Sequence, residues 1–155
     1  MHTSHVTTRQ APPAPAPTTT GQATTAAHRA MLGAKQAAHQ AELALTQVQD
    51  WCDIACDPRE TPGVKATAAA HVRATIVRAD EAAALAVRFD VLAARMAAMA
   101  STFARQSAGT LAHTRSAHGQ AQTAVGHAES ARVAAGMACR SARMAAAHQA
   151  IGAAD

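Results

Sequence analysis

Small and apolar residues recur in alternating steps of four and three along three stretches of this chain. Such spacing places residues on one face of an α-helix, and its seven-residue period is that of a coiled-coil seam. The first seam is Ala27, Met31, Ala34, Ala38, Ala41, Leu45, Val48, Cys52 and Ala55, and a second row beside it is Ala30, Ala37, Ala44 and Trp51. The two rows together predict a buried stripe wide enough for more than one neighbouring helix.

A break follows at residues 57–63, where two prolines and a glycine end the first helix. The second seam is Ala68, Val72, Thr75, Ala79, Ala82, Ala86, Phe89, Ala93, Met96, Ala100 and Phe103. A parallel row of Leu85, Leu92 and Met99 is predicted to widen its buried face.

The third stretch has alanine at every seam position: Ala117, Ala121, Ala124, Ala128, Ala131, Ala135, Ala138, Ala142 and Ala145. Alanine lets helices approach more closely than the usual interaxial distance of roughly 8–10 Å. Gly119, Gly126 and Gly136 interrupt this stretch, either to allow close approach or as weak points.

These seams predict an all-α fold with helices at about 24–56, 64–107 and 110–153, the first capped by Thr24 or Thr25. The 2% aromatic content argues against sheets, which favour aromatic and β-branched residues. No proline enforces a turn near Gly109, so two architectures remain open. We favour an Ala-rich antiparallel three-helix bundle over a helical hairpin in which residues 64–155 form one long helix.

Residues 1–22 are rich in threonine and proline and contain little apolar surface. We expect them to form a disordered tail ahead of a helical bundle at 23–155.

The net charge of +4 is spread along the chain and does not by itself demand an acidic partner. Arg73, Arg88, Arg95 and Arg105 fall within about 100° of one another around the second helix, as 3.6 residues per turn requires. Such a stripe could contact phosphates, which makes a basic nucleic-acid-associated helical protein the alternative function.

Cys52 and Cys56 are four residues apart on one helix face, and His71 belongs to the next helix. Together they would form a partial zinc site, so a metal or redox module is a second alternative. The simpler interpretation is that the cysteines fill the seam as small apolar residues. The nine histidines form no HxxxH or HExxH pair and are predicted to be solvated on helix surfaces.

Phosphate-binding loops and nucleophile elbows are missing from the sequence, so we expect a protein that is not an enzyme and carries no cofactor. The start, MHTSHVTTRQ, lacks the charge and apolar pattern of a signal peptide, and no apolar stretch reaches bilayer length. These features predict a cytoplasmic protein with reduced thiols.

Met137, Met144 and Ile151 recur every seven residues beside the third seam. They would either face a second chain or complete the core of one bundle. Because an alanine seam buries little surface, we expect a non-catalytic structural or adaptor protein. It would self-assemble or bind a protein partner through its small-residue seams.

Overall fold

The structure is a computed structural model that describes residues 15–152, with side chains described as far as residue 149. It contains three α-helices: α1 at Thr20–Cys56, α2 at Pro62–Gln106 and α3 at Leu111–Gly152. No strand occurs in this part of the chain. The all-α bundle is confirmed, and the long-helix alternative is wrong because the chain turns back between α2 and α3.

The first helix begins earlier than expected. Its N-cap is Thr19, whose hydroxyl accepts a hydrogen bond from the backbone N–H of Gln22 at 3.2 Å. The side-chain Oε1 of Gln22 in turn accepts from the backbone N–H of Thr18 at 2.8 Å. This exchange resembles a capping box, and it gives Thr19 the capping role that was predicted for Thr24 or Thr25.

Residues 20–22 therefore belong to α1 and not to the predicted tail, most of which, residues 1–14, lies outside the described residues. The hydroxyls of Thr24 and Thr25 instead donate to the carbonyls of Thr20 and Gly21 within the helix.

Threonine caps the other two helices as well. Thr61 accepts from the backbone N–H of Val64 at 3.4 Å, and Pro62 occupies the first turn, where its missing N–H costs nothing. Thr110 accepts from the backbone N–H of His113 at 3.3 Å. The prolines of the first break thus start α2 as well as ending α1.

Contacts near both ends show that α1 and α3 run parallel. The hydroxyl of Thr24 donates to the carbonyl of Gln120 at 3.0 Å, across 96 residues of sequence. Near the other end, Nε2 of Gln49 lies 3.3 Å from Nε2 of His148, across 99 residues. The two helices therefore keep nearly one register along their length.

The middle helix runs antiparallel to α1. Trp51, near the end of α1, stacks on His71, near the start of α2, with ring centroids 4.5 Å apart. Further along, the ring of Phe89 covers Gly33. Later residues of α2 thus contact earlier residues of α1, so these two helices are antiparallel. Since α3 is parallel to α1, the three helices form an up-down-up bundle.

The core is made of alanine. All nine seam positions of α3 are buried except Ala128, which is partly buried, and the α1 and α2 seams likewise point inward. The row of Leu85, Leu92 and Met99 was wrongly predicted to widen the buried face: the two leucines are exposed and Met99 is partly buried. Close approach of alanine-lined helices leaves larger side chains room only at the edges of the contacts.

The core consists of two clusters of buried residues. On α1, the first cluster ends at Ala27 and the second begins at Ala30. On α3, the first cluster ends at Ala124 and the second begins at Ala131. Partly buried Ala128 packs against both. The packing is thus least continuous at one level of the α1/α3 contact.

Glycines in two different settings provide a test of helix packing. A Cβ on Gly33 would lie 2.6 Å from Cζ of Phe89, whereas one on Gly126 would meet nothing within 4 Å. We predict that Gly126→Ala stabilises the protein by up to ~1 kcal/mol through helix propensity. Gly33→Ala should lower the unfolding free energy because the Phe89 ring must move. Thermal or urea unfolding gives the unfolding free energy of both variants relative to the wild type. Equal stabilisation by Gly33→Ala and Gly126→Ala would contradict the contact between Gly33 and Phe89.

Candidate protein interface

Large apolar side chains project from the outer side of α3. Val133, Met137 and Met144 are 63%, 47% and 52% exposed. Their spacing of four and seven residues places them on one face. The side chain of Ile151, the third predicted interface residue, lies outside the described residues. The two described methionines do not complete the core of their own bundle.

These side chains form one wall of an open groove of about 380 Å³ between α1 and α3. The opposite wall carries the charged and polar side chains of Lys35, His39 and Glu42, and the groove is lined between them by Ala38 and Ala134. An apolar wall thus faces a polar one across a floor of buried alanine.

Opposite charges occupy one level of this groove. The offset of 96 to 99 residues between α1 and α3 places Glu42 level with residues 138–141, which include Arg140. Both side chains are exposed and line the groove. Arg140 also lies between Met137 and Met144 along α3, so a cation interrupts the apolar wall at the level where Glu42 lies on the opposite wall.

The predicted arginine stripe lies on the outside of α2. Arg73, Arg88, Arg95 and Arg105 are all exposed. They extend over roughly 48 Å at 1.5 Å per residue, and exposed Asp80 lies among them. The guanidinium of Arg105 donates to the hydroxyl of Thr102 at 3.4 Å. The four arginines are therefore widely spaced along α2 and do not form a compact basic patch.

The structure does not gather the predicted cysteine and histidine cluster into one site. Cys52 and Cys56 share a cleft of about 260 Å³, but His71 does not line it and stacks on Trp51 instead. Within the described residues, no group of three or more His, Cys, Asp or Glu side chains is placed to hold a metal ion.

Cys52 is a poor thiolate. Burial raises the pKa of its thiol, and the neighbouring Cys56 and Asp53 raise it further. Since thiolate is the nucleophilic and metal-binding form, Cys52 behaves here as a partly buried apolar side chain.

A histidine pair joins α1 to α3 at the gap between the two core clusters. The ring centroids of His28 and His127 are 4.7 Å apart, with the rings inclined at 64°. His28 is exposed and His127 is partly buried. Burial lowers the pKa of His127 below its ordinary 6.5, and the neighbouring His28 and Lys35 lower it further. The ring of His127 therefore stays neutral to a lower pH than an ordinary imidazole.

Sequence reasoning missed this pair because it searched for histidines on one helix. The only signal was their separation of nearly a hundred residues, which becomes informative once α1 and α3 are known to be parallel and in register.

Comparison with known proteins gives no family: the chain matches no protein-family model, no curated protein and no solved structure. None of the helices in residues 15–152 has a stretch both long and apolar enough to span a bilayer. The surface of the bundle is therefore the feature from which a function can be proposed.

The lowered pKa of His127 predicts a stability that falls in acid. The unfolded chain binds a proton at this residue near pH 6.5, while the folded protein binds it only at lower pH. Stability is thus fully present above pH 6.5 and is lost as pH falls through the folded pKa. We predict that His127→Gln flattens the dependence of unfolding free energy on pH between 7.5 and 5, measured in urea. His39→Gln, at an exposed histidine, should leave the slope unchanged, and an equal effect of both variants would refute the assignment.

Proposed function

We propose that this protein is a non-catalytic structural protein that self-assembles, with a second copy of the chain seated in the groove between α1 and α3. The observation that carries the proposal is the exposed apolar wall of Val133, Met137 and Met144. Exposed apolar side chains grouped on one face are typical of association surfaces.

The alanine seams themselves are not the proposed interface, because they are already buried between the helices of one chain. The proposed self-assembly therefore uses the larger apolar side chains on the outside of the bundle instead of the small-residue seams. Methionine suits such a surface, since its flexible side chain adapts to the facing residues.

Symmetry favours a second copy over an unrelated helix. A two-fold axis perpendicular to α3 near residue 140 would place Met137 of one copy against Met144 of the other. The same axis passes close to Arg140 and sets it beside Arg140 of the other copy, with Glu42 of each chain at the same level on α1. The apolar side chains are thus self-complementary, as an isologous interface requires, and the two glutamates offset the charge of the two arginines.

We predict that the full chain forms a dimer that Met137→Glu/Met144→Glu converts to a monomer. Burying carboxylates against an apolar surface should weaken association at least about tenfold. Light scattering after size-exclusion chromatography gives the mass. The matched control is Val77→Glu/Val91→Glu on α2, where the replaced side chains are 55% and 54% exposed, and it should leave the dimer intact. A wild-type monomer at 100 µM, roughly the range of weak association, would refute self-assembly.

A charge exchange tests the two-fold arrangement separately. Glu42→Arg and Arg140→Glu should each weaken the dimer, because each places like charges together. The double variant should restore the wild-type dimer mass and dissociation constant. If the two single effects simply add in the double variant, Glu42 and Arg140 do not form one cluster of charges at the interface.

A further inference from the structure

The strongest unassigned feature is the pair of imidazoles that bridges α1 and α3. The described hydrogen bonds of histidine ring nitrogens involve His118 and His148, not His28 or His127. Neither the exposed ring of His28 nor the partly buried ring of His127 has a hydrogen bond to the described protein atoms, so their ring nitrogens are available to an ion.

From this juxtaposition we infer that His28 and His127 together bind one divalent transition-metal ion of the zinc, nickel or copper class, clamping α1 to α3. The pair lies on the α1/α3 side of the bundle, seven residues before Lys35 and Ala134 of the groove, but its chemistry does not depend on self-association.

The ring separation suits a shared ion. Zinc–imidazole bonds are about 2.0–2.1 Å long, so two rings on one ion at 90 to 110° have centroids roughly 4.5 to 5.2 Å apart. The observed separation is 4.7 Å. The separation of the two rings therefore matches that required for one shared ion, with one nitrogen of each ring turned towards it by rotation of the side chains.

Protonation does not compete with the metal near neutral pH. Metal binding requires neutral imidazole, and the lowered pKa of His127 keeps that ring neutral. Binding should weaken in acid as the ring of His127 takes up a proton.

The class of ion follows from the donors. Imidazole nitrogen suits zinc, copper and nickel, whereas magnesium and calcium require several oxygen ligands. Among the described residues no third His, Cys, Asp or Glu completes the group, so water would fill the remaining positions of the ion.

The position of the pair gives the ion a structural role. His28 lies between Ala27 and Ala30, where the two core clusters on α1 separate, and His127 lies between Ala124 and Ala131 on α3. A ligand that binds only the folded arrangement stabilises it in proportion to the logarithm of its concentration. Metal binding would therefore strengthen the bundle where alanine packing is least continuous.

The test is thermal unfolding of the full, tag-free chain at pH 7.5 with increasing Zn²⁺ or Ni²⁺. The expected result is a Tm that rises with metal concentration in the wild type and in the control variants His39→Gln and His118→Gln. His28→Gln and His127→Gln should each abolish the rise. An equal rise in all five proteins, or none in the wild type, overturns the inference.

A spectroscopic measurement covers the case in which a variant folds poorly. One equivalent of Cu²⁺ added to the folded wild type should give an electron paramagnetic resonance spectrum with coupling to two imidazole nitrogens, and His28→Gln should reduce the coupling to one. Retention of two-nitrogen coupling in His28→Gln would place the copper on other histidines and refute the site. Dimer mass is unaffected by this outcome, so failure here is distinguishable from failure of self-assembly.

Discussion

The close packing of alanine against alanine determines most other features of this bundle. Each buried methyl contributes only ~0.8 kcal/mol, against ~1.5–3 kcal/mol for a buried leucine or phenylalanine. Such a core gains stability by length, and the three helices run to 37, 45 and 42 residues. The core still buries a few larger side chains, among them Met31, Ile76 and Met96. Val48 is one of the largest fully buried side chains, while most leucines and several valines lie outside.

Small and large apolar residues therefore occupy different places in this bundle. Small residues occupy the contacts between helices, and many of the larger apolar residues remain at the surface. In a bundle with a leucine core, the large apolar side chains would instead be buried between the helices of one chain. Here α3 retains a valine and two methionines on a face that its own fold does not need.

The seams were predictable because alternation of four and three is a local property of each helix. The start of α1 was missed because Thr19 and Gln22 were assigned to the Thr-rich tail, although their spacing is that of a capping box. The exposure of Leu85 and the pairing of His28 with His127 could not be derived in the same way. Both depend on how closely the helices approach and how they are shifted along one another, which the two turns and the whole core determine together.

The up-down-up arrangement has an electrical consequence. Each helix carries the equivalent of roughly half a positive charge at its N-terminus and half a negative charge at its C-terminus. Neighbouring antiparallel helices cancel these charges in pairs, but an odd number leaves one helix unopposed. The end of the rod near Thr19 and Thr110 is therefore positive and the opposite end negative, apart from side chains. Rods of this kind attract one another when laid side by side in opposite directions, which is the orientation that a two-fold axis across α3 imposes.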